Sequence, residues 1–91
     1  MIDLGAALST ALSRLKKLPD GAVLELLTFK RDRGVAVRRV GAAFEVREFG
    51  YRDETGTEDA AGLRKRLKAI LKREFPRSNK VHLRERRAEE R

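Results

Sequence analysis

The chain contains no cysteine, a single histidine, and only four phenylalanines and one tyrosine as aromatic residues. Without cysteine, it forms neither a disulfide nor a thiolate metal site. His82 lacks the further ligands at suitable spacing that a metal site requires. No apolar run approaches the ~20 residues of a membrane span, and no secretory signal is visible. These absences predict a protein without metal or membrane contact, and the cytoplasm is its default location.

Motifs that carry catalysis are also missing. The chain has neither a Walker A nor a GxGxxG pattern, and none of its serines sits in a nucleophile elbow. A general-base role for His82 would require a nearby reacting group, which the sequence does not identify. We therefore expect a non-enzymatic protein without cofactor or small-molecule substrate. A small nuclease-like enzyme using His82 is the least favoured interpretation.

Basic residues dominate what is present. Lys and Arg number 22 and Asp and Glu 14, which gives a formal net charge of +8 over 91 residues. A chain of this length makes one domain with a modest core. Its charge indicates a polyanionic partner, such as nucleic acid, an anionic surface or an acidic protein.

Hydrophobic spacing predicts two helices around three strands. Residues 4–18 and 58–75 carry apolar residues at three- and four-residue intervals, and Thr57 suits the N-cap of the second helix. Residues 22–31, 35–40 and 43–51 predict an antiparallel meander, followed by a polar loop at 52–56. Residues 80–84 would add a short fourth strand at a sheet edge. The expected fold is a single α+β domain over residues 1–84, with both helices on one sheet face and a charged, frayed tail at 85–91.

Two turns set the predicted register of the meander. Gly41-Ala42 suits a two-residue turn that pairs Val40 with Ala43. The run 32–34 suits a three-residue loop with Gly34 in the left-handed position, which would pair Leu27 with Arg39. The resulting covered face contains Val23, Leu27, Phe29, Val35, Val37, Phe44 and Val46.

This register leaves Leu24, Leu26 and Val40 together on the wet face. Such an apolar patch would suit a protein partner or a homodimer. Phe49 and Tyr51 have the opposite parity to Phe44 and Val46. Either a bulge near residues 47–48 switches their face, which is the preferred interpretation, or they are exposed.

The order helix, three-stranded meander, helix over residues 4–75 resembles that of double-stranded RNA-binding domains. That family spans an RNA duplex with its first helix, its first strand–strand loop and the basic start of its last helix. The resemblance lies in the order of the elements, and residues 80–84 would be an extra strand. The motifs differ, because Arg31-Asp32-Arg33-Gly34 stands where the family has a Gly-Pro-x-His type loop. The last helix opens with Glu58 and Asp59, and its basic residues begin only at Arg64.

The excess positive charge is confined to one segment. Residues 64–80 contain eight basic residues and one acid, or +7, and the rest of the chain carries +1. On a helical wheel Lys65, Lys68 and Lys72 lie opposite the apolar stripe, and Arg66 and Arg73 flank it. This broad basic face favours binding to a phosphate backbone with little sequence readout. The alternatives are a solvated basic face, or a protein-interaction module that uses the apolar patch or an exposed edge strand. The candidate anion-binding residues are Arg64, Lys65, Lys68, Lys72, Arg73, Arg77 and Lys80, with Arg31 and Arg33 at the hairpin tip.

Overall fold

The structure is a computed structural model that describes residues 2–28, 30–75 and 80–87. These ranges contain two helices, α1 (Leu4–Lys16) and α2 (Ala60–Glu74). Within them, no helix is long and apolar enough to cross a membrane. The strands are β1 (Ile2–Asp3), β2 (Val23–Leu27), β3 (Gly34–Val40), β4 (Ala43–Phe49), β5 (Glu54–Glu58) and β6 (Lys80–Arg86). The predicted α+β class is confirmed, with more strands than expected.

The strands form one antiparallel sheet in the order β1-β6-β2-β3-β4-β5. Both helices pack on the same face of this sheet, as predicted, and no helix of the described residues covers the opposite face. The core lies between the two layers. Its buried apolar residues are Ala7, Ala11, Leu15, Leu18, Ala22, Leu24, Leu26, Val35, Val37, Phe44, Val46, Leu63, Leu67, Ile70, Leu71, Phe75 and Val81.

Helix α2 begins later than the sequence suggested. The Asp59 side chain caps it by accepting a hydrogen bond from the Gly62 N–H at 2.7 Å. The predicted cap, Thr57, instead lies in β5, which pairs with β4 from Glu48↔Glu54 to Phe44↔Glu58. The expected loop at 52–56 is therefore wrong over residues 54–56. Pairing with β4 satisfies the backbone groups of these polar residues, and their side chains carry no hydrophobic period that would reveal a strand.

The hairpin between β3 and β4 is confirmed residue by residue. Gly41 has a φ of 63°, which favours glycine. Val40 pairs with Ala43 and Val37 with Val46, as the two-residue turn required. A tight turn of known length fixes the strand register on both sides of it.

The predicted register between β2 and β3 is wrong. Leu27 pairs with Gly34, five residues earlier in the chain than the expected Arg39. A displacement by an odd number of residues moves every side chain of a strand to the other face. Gly34 is therefore a strand residue, and the left-handed residue of this connection is Arg31, with a φ of 64°.

The displacement removes the apolar patch that was expected to bind a partner. Leu24 and Leu26 pair with Val37 and Val35 on the covered face and are fully buried. Val40 remains alone at the surface, with 52% of its area exposed. The clustering of three apolar side chains on a wet face was thus a sign of the wrong register. Phe29, which the prediction placed in the core, lies outside the described residues.

Strand β4 contains no bulge near residues 47–48. It pairs regularly with β3 from Val40↔Ala43 to Gly34↔Phe49, so the preferred interpretation was wrong. Phe49 is half-buried on the uncovered sheet face, and Tyr51 is 74% exposed after the strand ends. The alternation of side chains along β4 therefore places the Phe49 ring on the face away from the core, and Tyr51 lies in solvent beyond the end of the strand.

The fourth predicted strand is present as β6, but it does not lie at the end of the sheet. It is placed between β1 and β2 because Ile2 and Asp3 pair with its first two residues. It continues to Arg86, two residues into the segment that was predicted as a frayed tail. Residues 88–91 of that segment lie outside the described residues.

Candidate functional site

The two helices carry nearly all of the excess charge. Together α1 and α2 contain eight basic residues and a single acid, Glu74, or +7 of the chain's +8. The Glu74 side chain is buried. Neither helix therefore presents an acidic side chain to solvent along its length.

Five of these basic residues are exposed and make no ion pair or hydrogen bond with a described residue. Four were predicted from the helical wheel, and the fifth, Lys16, comes from the last turn of α1. Because α1 and α2 cover one sheet face side by side, the five cations share one surface. We call them the helix-face cations: Lys16, Arg64, Lys65, Lys68 and Lys72.

A groove between the helices organises this surface. Leu4 and Leu8 of α1 lie opposite Lys68 and Lys72 of α2 around a cavity of about 460 Å³. Toward the other end, Lys16 and Arg64 line a second cavity of about 390 Å³. The antiparallel helices thus bring Lys16 to the groove, although Lys16 lies 48 residues before Arg64 in the sequence. Sequence spacing alone gave no sign of that proximity.

The row along α2 has a regular spacing. Arg64, Lys68 and Lys72 are four residues apart, so successive side chains rise by about 6 Å along the helix axis. Like charges at this spacing destabilise an isolated helix slightly. No described acid offsets them. The row is therefore an uncompensated field of positive charge.

Arg73 and Arg33, both predicted to bind an anion, are instead held in ion pairs. Arg73 donates two hydrogen bonds to the buried Glu48 carboxylate, at 2.7 and 2.6 Å. This bonding raises the pKa of Arg73 above its ordinary value. Arg33 donates from Nε to Glu74 at 2.9 Å and from Nη2 to the Arg73 carbonyl at 3.0 Å. Both guanidinium groups are therefore already bonded to buried carboxylates.

Glu74 connects the end of α2 to the chain that follows β4. Besides Arg33, it accepts hydrogen bonds from the backbone N–H groups of Tyr51 at 2.8 Å and Arg52 at 3.0 Å. Burial raises the pKa of Glu74, but the hydrogen-bonded groups around its carboxylate, among them Tyr51, Arg33 and Arg52, lower it to about 2. A carboxylate so fully bonded is a structural anchor. We call Arg33, Glu48, Arg73 and Glu74 the buried charge cluster.

The remaining predicted residues do not join the helix-face cations. Lys80 pairs with Asp3, which lowers the pKa of that carboxyl group. Arg31 is exposed in the loop between β2 and β3, away from the helices. Arg77 lies outside the described residues. The site at the helices thus keeps four of the nine predicted residues and gains Lys16.

Within the described ranges, no three His, Cys, Asp or Glu side chains converge as metal ligands would. No protein-family model, curated protein or solved structure matches the chain. The function is therefore inferred from the geometry and charge of the molecule itself.

Proposed function

We propose that the protein is a non-enzymatic module that binds the phosphate backbone of a nucleic acid duplex through its helix layer. One observation supports this most strongly. The helices present five exposed cations that are not ion-paired with a described residue and no exposed acid, while the one acid that they contain is buried in an ion pair. Lys and Arg side chains in this arrangement neutralise phosphates and release counterions.

The composition of the helices favours a duplex over a single strand. Neither α1 nor α2 contains an aromatic residue, and single-strand binding relies on aromatic rings that stack on bases. Contacts from flexible cations to phosphates carry little sequence information. The expected binding is therefore salt-sensitive and tolerant of sequence.

The test compares two variants with equal charge. Replacement of Arg64, Lys68 and Lys72 by Gln should weaken binding to a fluorescent duplex, measured by anisotropy at low salt, by tenfold or more. The control replaces Lys30, Arg38 and Arg47 by Gln, which removes the same charge from surfaces away from the helices. Equal weakening in both variants, or none in the helix variant, would refute the proposed interface. Circular dichroism should show an unchanged fold in each, because Gln keeps a helix propensity close to that of Lys and Arg in α2, and the three control positions are exposed side chains outside the helices.

A second candidate function follows from the apolar floor of the groove. The half-buried leucines Leu4, Leu8 and Leu12 line it beneath the cations, a combination that would accept an acidic amphipathic helix of a protein partner. Replacement of Leu8 by Gln separates the two functions. Duplex binding should be unchanged if phosphates are the ligand, whereas a marked loss of duplex binding would show that the groove floor takes part.

A further inference from the structure

The uncovered face of the sheet carries a second cationic site, distant from the helix layer. At the β2–β6 end of this face, a cavity of about 270 Å³ is lined by Leu27, Arg31, His82, Leu83 and Arg84. Two of the five lining residues are arginines and two are leucines. The Leu83 side chain packs on the core face of β6, so the cavity combines the apolar Leu27 side chain with two guanidinium groups.

The sheet register and one loop assemble this cavity. His82 is the direct cross-strand partner of Leu27, and Arg84 follows two residues later on the same face of β6. Arg31 comes from the connection between β2 and β3, where its backbone N–H donates to the Thr28 carbonyl at 2.9 Å. Residues far apart in the sequence therefore meet only in the folded sheet.

The nearest carboxylates are already engaged. Glu25, the cross-strand partner of Arg84, accepts a hydrogen bond from Arg86 at 3.1 Å. Asp32, next to Arg31, accepts one from the Thr28 hydroxyl at 3.2 Å. Arg31 and Arg84 make no ion pair or hydrogen bond with a described residue. The cavity therefore holds two guanidinium groups that are not ion-paired with a described residue.

The backbone at Arg31 supports a role for its side chain. With a φ of 64°, Arg31 occupies the left-handed region, which non-glycine residues rarely adopt. Glycine would fit there without a steric cost. Arginine at this position therefore makes the fold less stable than glycine would. Its place in the lining of the cavity would account for the presence of arginine there.

We propose that this cavity binds the phosphate of a phosphate monoester. Two arginines match the two negative charges of that group and the fork geometry of its oxygens. The volume lies below the ~300–1,000 Å³ of sites for whole small molecules, so the cavity suits a head group. Leu27, which lies on the same face as His82 and Arg84, provides the apolar contact for the nucleoside that carries the phosphate. The source is either a free mononucleotide or the 5′-phosphate of a nucleic acid strand.

The test is an NMR titration of ¹⁵N-labelled protein at constant ionic strength. The ligands are inorganic phosphate, a nucleoside 5′-monophosphate, and an oligonucleotide with or without its 5′-phosphate. We expect saturable shifts of the Thr28, Leu83 and Arg84 amides. Binding of the nucleoside 5′-monophosphate would identify a free mononucleotide as the source. Tighter binding of the oligonucleotide that carries a 5′-phosphate would identify a strand end as the source. Shifts that do not saturate with any phosphate ligand would overturn the proposal.

Two variants and one control distinguish this role from a structural one. Arg84→Ala and Arg31→Gly should each weaken phosphate binding about tenfold or more, because each removes charge-assisted hydrogen bonds. Arg31→Gly should also raise the thermal midpoint by a few degrees by relieving the backbone. Lys30→Ala removes the neighbouring exposed cation and should bind as the wild type does. Unchanged phosphate affinity in Arg31→Gly or Arg84→Ala would refute the site, whatever the variants do to duplex binding.

Discussion

Gly34 shows how one residue constrains the register of the sheet. A Cβ at this position would collide with the carbonyl oxygen of Leu26 and lie 3.1 Å from the Cα of Leu27. Both obstacles belong to the backbone of β2, which cannot rotate out of the way. The close approach of two strands at Gly34, and not a left-handed turn, is therefore what requires glycine here.

Gly34→Ala should destabilise the protein by about 2 kcal/mol or more, because β2 and β3 must separate to admit the methyl group. Urea denaturation measures the change. Gly5→Ala is the matched control, since a Cβ at Gly5 meets nothing within 4 Å. Alanine in α1 should be neutral or stabilising by up to ~1 kcal/mol. Similar losses in both variants would contradict the assigned register.

Side-chain roles were predictable where the geometry is local. The direction of Arg64, Lys65, Lys68 and Lys72 follows from the period of a helix, so the sequence located these exposed cations correctly. Arg33 has the same chemistry, but its partner Glu74 is 41 residues away. No spacing rule reveals that pair, and the sequence therefore gave no sign that Glu74 holds the Arg33 guanidinium.

The elements depend on the buried charge cluster for their relative positions. Glu74 holds the last turn of α2 against the chain that leaves β4, and Glu48 holds α2 against β4 through Arg73. A buried carboxylate is tolerated only when its partners are all present. The cluster explains why two acids lie among core residues in a chain with a modest core.

Glu74→Gln should destabilise the protein by about 2–4 kcal/mol, since the partly buried Arg33 loses its anion. Chemical denaturation gives the value. The comparison is Glu54→Gln, which removes the exposed pair between Arg52 and Glu54 at 3.7 Å. That pair should contribute less than about 1 kcal/mol. A loss at Glu74 no larger than that at Glu54 would show that the cluster does not anchor α2.

Element boundaries were predictable to different degrees. The hairpin at Gly41 has a two-residue turn with a specific chemistry, and its register was confirmed. Strand β5 is polar throughout and is visible only through its pairing with β4. The predicted register between β2 and β3 was wrong because residues 32–34, whose composition is typical of a short turn, are part of a longer connection. Gly34 is the first residue of β3 and not a turn residue.

Acid stability of the whole molecule should depend on Glu74. Its pKa of about 2 lies below the ordinary value of 4.5, so ionisation of Glu74 favours the folded state. The contribution is complete above pH 4.5, and it is lost as the pH falls through about 2. Denaturation midpoints of wild type and Glu74→Gln should therefore converge between these pH values, and curves that remain parallel would contradict the assigned pKa.

At the scale of the molecule, charge is distributed by layer. The helices carry +7, and the strands and loops together carry +1. The sequence located this excess because most of it lies in one helix. It did not reveal that Lys16 of α1 joins the same surface, because that depends on how two distant helices pack on the sheet.

The salt dependence of duplex binding tests the central proposal most directly. If the five helix-face cations contact phosphates, the logarithm of the binding constant should fall with the logarithm of the salt concentration with a slope of about −3 to −4.5. Replacement of Arg64, Lys68 and Lys72 by Gln should make that slope shallower by about 2 to 3, whereas the Lys30, Arg38 and Arg47 control should keep the wild-type slope. A slope near zero, or one that the helix variant leaves unchanged, would contradict a phosphate interface on the helix layer.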